Sequence, residues 1–154
     1  MKYWKDAEQL INRSPCLAIA TVNEDGSPHI TPIGSLFTNE KGKCFYFEKL
    51  PQRLRENLDR GSRFTILLQR GKLLYWLRAL LKGKFDTMPA LRISGVAGKR
   101  RPCSAEEKKL FDERFGKFRF TKGYDILWKE MGIVRDLTID SIEPVNLNSM
   151  TSDI

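Results

Sequence analysis

The chain has 154 residues, enough for one domain with a substantial core. A content of 41% hydrophobic and 30% charged residues excludes a disordered or fibrous chain. The net charge of +8 calls for an anionic partner, and nucleic acid, an acidic membrane or a phosphorylated small molecule would each satisfy it.

The opening "MKYWKDAEQLINRSP" has no long apolar run. Neither a signal peptide nor a membrane span is therefore expected, and the chain reads as cytoplasmic. Tyr3, Ala7, Leu10 and Ile11 recur at helical spacing, with Pro15 as the stop. "CLAIATV" is an apolar, partly β-branched run and reads as a buried strand. "NEDGSP" is a turn, and His29 to Phe37 reads as the next strand. Pro32 within it marks an edge, a bulge or a break, because proline donates nothing to a ladder.

"CFYFE" is a further strand, and "QRLRENLDR" a short helix with Leu54 and Leu58 on one face. "RFTILLQ" and "ALRISGVAG" are two more strands, and "IVRDLTIDSI" is the last. Short strands joined by hairpin-length turns predict a mainly β fold, a small antiparallel barrel with peripheral helices. Residues 1–154 form one domain in this reading, with a helical insertion at about 72–85 and helices within about 104–131. Ser104 and Glu107 have the spacing of a capping box at the head of the latter region. The polar tail from Glu143 is expected to fray.

The three cysteines, Cys16, Cys44 and Cys103, lie far apart, and the chain has one histidine, so no metal site is expected. Cys16 and Cys44 fall in apolar runs and are expected to be buried free thiols. "GKRR" at 98–101 reads as a solvated loop, and Phe115, Phe118 and Phe120 as core anchors.

The succession of an apolar strand, "DGSPHITPI", "GKCFYFE", a turn ending in Arg53, "NL" and another apolar strand resembles the pyridoxamine 5'-phosphate oxidase-like family. The resemblance covers Cys16 to Gln69 and the strand Ala90 to Gly98. It implies a split antiparallel β-barrel of the FMN-binding type, with FMN as cofactor and oxidoreductase activity. FAD, haem or a deazaflavin are the alternatives that related barrels hold. It places Thr31, Pro32, Ile33, Gly34 and Ser35 beside the isoalloxazine ring. Phe47, Glu48 and Lys49 fall at the ribityl chain and phosphate, and Gln52 and Arg53 at a phosphate-binding basic pair. Gln52 departs from that pair, and Pro51 stands where Ser or Thr is frequent; Lys49 is the compensating cation. These departures argue against pyridoxamine phosphate oxidase activity itself.

The resemblance also implies a homodimer, with the flavin in the cleft between two barrels and a small-molecule substrate or electron donor. His29 is the candidate for facing flavin or substrate, set against a plain turn-side histidine. A non-catalytic flavin- or haem-binding module is the alternative function, and a basic nucleic-acid-binding barrel the third. No nucleic acid and no membrane partner are expected. In the insertion, Leu73, Leu74, Leu77, Leu80 and Leu81 form one apolar stripe. Three uses compete for that stripe: packing on the barrel or a dimer mate, walling the flavin cleft, or lying on an anionic membrane; the first or second is expected, with Trp76 at least half buried.

Overall fold

The computed structural model describes residues 2–49 and 51–154. In chain order the elements are α1 (Trp4–Arg13), β1 (Leu17–Val22), β2 (Pro28–Ile33), β3 (Leu36–Glu40), β4 (Lys43–Phe47), α2 (Gln52–Gly61) and β5 (Arg63–Gln69). There follow α3 (Leu73–Lys82), β6 (Ala90–Pro102), α4 (Ala105–Phe115), α5 (Lys122–Leu127) and β7 (Ile133–Pro144).

The strands make one seven-stranded sheet in the order β2-β1-β5-β6-β7-β4-β3. Every pairing in it is antiparallel. β2 and β3 follow each other in the chain yet stand at opposite ends of the sheet. The expected single strand from His29 to Phe37 is therefore corrected: it breaks at Gly34 and Ser35, and the sheet curls so that its two ends approach without forming a ladder. Ser35 secures the corner, its Oγ donating to the Phe47 carbonyl at 3.0 Å. This is a split antiparallel barrel. Pro32 sits on the edge strand β2, where a missing N–H leaves no inner ladder broken. Gly95 stands at a bulge where β7 comes so close that a Cβ would overlap the Thr138 carbonyl.

Two cores follow from the curl. Inside it, Ile19, Ile33, Leu36, Tyr46, Ile66, Leu91, Ile93 and Leu137 meet Ala7, Leu10 and Ile11 of α1 and Leu54 and Leu58 of α2. Outside it, α4 and the segment through α5 cover β3, β4 and β7, burying Phe37, Phe45, Phe47, Phe111, Phe115, Tyr124, Met131 and Val134. Alternation sends Cys44 and Tyr46 to the first core and Phe45 and Phe47 to the second. β4 is thus buried on both faces, which is why it reads as an unbroken apolar run. Each fully buried Phe contributes about 1.5–3 kcal/mol.

The capping box is formed: Glu107 N–H donates to Ser104 Oγ, and Ser104 N–H to the Glu107 carboxylate. Cys44 is buried as expected, and burial pushes its thiol up to about 12.

Several other expectations need correction. Cys16 is exposed, because it precedes β1 rather than entering it. Phe118 and Phe120 are not core residues; a 3-10 turn at Gly116–Phe118 carries the chain off the sheet and leaves Phe120 87% exposed. Residues 98–101 lie in β6, which continues through a bulge between Ala97 and Arg100, so they are strand and not loop. The tail is tied back: Thr151 is buried, and the Phe85 N–H donates to the Met150 carbonyl at 2.9 Å.

The insertion is a helix, α3, but its polarity relative to the barrel differs from the expectation. Tyr75, Trp76, Ala79 and the following Phe85 face the protein, and Trp76 is 36% exposed. The five leucines do not pack on the chain's own barrel; all are exposed.

Candidate functional site

The carried-over positions separate into three places. The first is the β2 edge and its corner. Thr31 is half-buried and faces Ile19 of β1; Pro32 is exposed; Ile33 is core. The position of a Cβ on Gly34 would lie 3.2 Å from the Pro15 carbonyl, and Ser35 is buried. As an edge strand β2 leaves alternate backbone N–H and C=O groups unpaired on its outer side.

The second place is the end of β4. Phe47 packs its ring against Phe111 at 4.6 Å. Glu48 is buried and receives two bonds from the fully buried Arg135, at 2.8 and 3.2 Å. Arg135 also donates to Asp59 at 2.6 Å and to the Gly98 carbonyl at 3.0 Å. Arg55 adds its Nε at 3.6 Å from Glu48. Burial works against the Arg135 cation, but its bonds to Glu48 and Asp59 more than offset this and raise its basicity. The Arg135 bond, followed by the charges of Arg135, Arg100 and Arg55, holds the Asp59 carboxyl below its usual range despite some desolvation. Lys49 turns to α5 and the turn after it, donating to the carbonyls of Ile126 at 3.3 Å and Lys129 at 2.8 Å. The side chains of Phe47, Glu48 and Lys49 are therefore spent on the protein's own structure.

The third place is a hollow of about 480 Å³ between the β1–β2 turn and α2. Asn23, Asp25, Ser27, Arg53, Glu56, Asn57 and Arg60 are among its walls. Ser27 donates to Asp25 from its backbone N–H at 2.9 Å and from its hydroxyl. The hydroxyl bond, then the N–H bond, keeps the Asp25 carboxyl below its usual range, with a smaller contribution from Arg53. Gln52 donates to Glu56 at 2.8 Å, one turn on. Arg53 projects from the first turn of α2 and is exposed. No side chain caps this helix: its N-cap is Pro51, and no acidic residue occupies its first turn. The leading N–H groups of α2 and the Arg53 fork consequently form a donor set of the kind that suits a phosphate.

His29 is linked to this third place through Thr21 and Asn57. Its Nδ1 lies 3.3 Å from Thr21 Oγ1. Asn57 Nδ2 donates to the same Thr21 oxygen and to Asn23 Oδ1, both at 3.0 Å, while Arg60 donates to Asn57 Oδ1 at 2.9 Å. Asn57 thus donates to the same Thr21 oxygen that His29 Nδ1 meets, which ties the ring to α2 through one hydroxyl. Asn57 is buried and pins α2 to β1. Sequence reading met it only as the Asn of "NL" and gave it no role; the available signal was a polar residue on the same helical face as Leu54 and Leu58.

A further hollow, of about 790 Å³, opens where the β6 bulge lifts Lys99 and Arg100 beside Ser62, Asp59 and Arg135. Arg101 at its edge is held by Asp136 and Glu107, each at 2.6 Å. Among the described residues no group of three or more His, Cys, Asp or Glu side chains is placed to hold a metal ion. No described helix is long and apolar enough to cross a membrane.

Three solved structures show the same fold. An FMN-binding protein from Syntrophomonas wolfei is 14% identical, with a TM-score of 0.67 over 95% of this chain and 88% of that one. An F420 reductase is 13% identical, with a TM-score of 0.60 over 88% and 94%. HupZ of Group A Streptococcus is 15% identical, with a TM-score of 0.58 over 92% and 98%. No curated protein matches the chain. Residues 3–125 match the pyridoxamine 5'-phosphate oxidase family, and with the split barrel and its strand order already in place, the chain belongs to that family.

Proposed function

We propose that the chain is an FMN-dependent oxidoreductase acting on a small molecule as a homodimer. The observation that carries this reading is the uncapped start of α2 with Arg53 in its first turn, inside a family fold whose structural neighbours include an FMN-binding protein. The donors there suit a phosphate dianion, so the residues fit the cofactor. FMN, when bound, supplies the hydride or electron chemistry. Arg53 and the leading N–H groups of α2 hold the phosphate. The outer backbone groups from Thr31 to Ile33 on β2, and those of Gly34 and Ser35 just after it, orient the ring's polar edge. His29, on the same strand, is the titratable side chain placed to face flavin or substrate. A second barrel would close the open side of the cleft and exclude water.

Titration of apo protein with FMN and with riboflavin tests the phosphate contact. FMN is expected to bind more tightly, and equal affinities would remove the phosphate site. Anaerobic addition of NADH or NADPH to the FMN-loaded protein tests the oxidoreductase part, bleaching of the flavin absorbance being the expected result. The F420 reductase among the neighbours makes a deazaflavin the comparison ligand in the same titration.

A further inference from the structure

α3 is fastened to the protein along one side only. Tyr75 Oη donates to the Thr87 carbonyl at 2.7 Å, and Trp76 Nε1 to the Arg70 carbonyl at 2.8 Å. The Tyr75 and Trp76 rings meet buried Phe85 at 5.5 and 5.2 Å, and Ala79 is buried between them and the body. At 3.6 residues per turn, Leu73, Leu74, Leu77, Leu80 and Leu81 share an arc of about 120° on the far side. Leu73 is 82% exposed and Leu81 80%, and Leu74, Leu77 and Leu80 are exposed with them. Five contiguous leucines on one face form an apolar patch of a kind that marks an interaction surface.

The charges around that face have one sign. From Arg70 to Phe85 the chain carries Arg70, Lys72, Arg78, Lys82 and Lys84 and no acidic residue. Asp86 pairs with Lys82, Asp153 with Lys84 and Asp6 with Arg70. Lys72 and Arg78 form no ion pair among the described residues. On the helix, Arg78 and Lys82 adjoin the Leu74 edge of the stripe. A second copy docked here would set these cations against their equals on a chain of net charge +8. An acidic lipid headgroup layer answers both halves of the surface, taking leucines at the acyl boundary and cations at the phosphates.

We infer that α3 is a membrane-docking helix that lies flat on an anionic bilayer, its leucine face down and Arg78 beside it at the headgroups. With a rise of 1.5 Å per residue it is about 15 Å long, so it lies on the bilayer and does not span it. The inference is independent of the cofactor.

The test is flotation of the full chain with vesicles of phosphatidylcholine and phosphatidylglycerol in equal parts, against vesicles of phosphatidylcholine alone. Binding to the anionic vesicles is expected to be stronger by about tenfold or more and to weaken with salt. Leu73→Gln/Leu77→Gln/Leu81→Gln keeps the charge and removes apolar area, so flotation should fall by about tenfold or more. Arg78→Gln keeps the leucines, and flotation should fall by about fivefold, on anionic vesicles only. Wild-type protein that stays with the bulk solution overturns the inference. So does the triple variant binding as well as wild type, which would mean attraction by net charge alone. A halved molar mass of the triple variant in light scattering, with an unchanged circular dichroism spectrum, would overturn it in favour of a second copy on this face.

Discussion

Arg135 and Arg53 lie in two regions of one small barrel and have opposite fates. Arg135 is fully buried, and Glu48, Asp59 and a main-chain carbonyl take up its donors. Arg53 stands at the open start of α2 with no salt bridge among the described residues. Both follow from where the sheet places them: β7 carries Arg135 beside Tyr46 of β4, whereas α2 lifts Arg53 clear of the sheet. The difference separates structure from binding. A guanidinium already bonded to two carboxylates, one of them buried, holds elements together, and one with no ion pair beside free N–H groups is available to a ligand.

The largest effect that tests this contrast is Arg135→Met. It leaves Glu48 buried with no hydrogen-bonded cation, Arg55 standing 3.6 Å off, and should cost about 3–5 kcal/mol, read from urea unfolding. Adding Glu48→Gln should recover much of that loss, because the stranded charge is gone. If Arg135→Met instead proved neutral, the pair would not be the clamp described. Next comes Arg53→Ala, expected to weaken FMN binding by about one to two decades, from a charge-assisted bond of about 1.5–3 kcal/mol. The same change should leave unfolding within about 0.5 kcal/mol of wild type. Arg55→Ala should barely alter FMN affinity, since Arg55 turns to Glu48 and the Lys49 carbonyl. An exchange of these two results would move the phosphate site to the other face of α2.

Asn57→Ala should destabilise by about 1–3 kcal/mol by removing buried donors to Thr21 and Asn23, with a lower Tm as the readout. The smallest effect is the pH response of Asp59. Its carboxyl lies lower in the folded chain than the ordinary 3.8, so its contribution is present above that pH and lost as pH falls through the depressed folded value. Wild type should therefore lose stability on acidification more steeply than Asp59→Asn. Parallel curves would show that solvent screens the Arg135–Asp59 contact.

Much of the scaffold is visible in the chain because it is written locally. Alternation, turn residues and Leu54 with Leu58 mark the strands and α2, and Ser104 with Glu107 marks the start of α4. What escapes sequence reading is set over long separations. Nothing near Glu48 announces Arg135, 87 positions away, yet their pairing determines that Glu48 faces inward. The split of His29–Phe37 depends on where the sheet ends must meet, and Gly34 with Ser35 gives only a slight local hint. The leucines of α3 have the periodicity of a core face, and periodicity records that one side is apolar without saying what it meets. Arg53 drew a role from the family pattern, whereas Asn57, the Asn of "NL" in the same pattern, drew none although it is buried and central.

The burial of β4 on both faces has a consequence for the order of assembly. During synthesis β4 can pair at once with β3, its hairpin neighbour, but its other ladder waits for β7, which begins at Ile133. Until then Tyr46 and its neighbours offer an open strand edge, and Phe45 and Phe47 lack the β7 residue Val134 in their cluster. Late pairing of this kind slows folding and prolongs the exposure of sticky intermediates. A chain stopped before Ile133 should accordingly collect in aggregates and not as a soluble partial barrel, measurable as the pelleted fraction on expression. The last strand thus sets the time at which the molecule becomes safe from association.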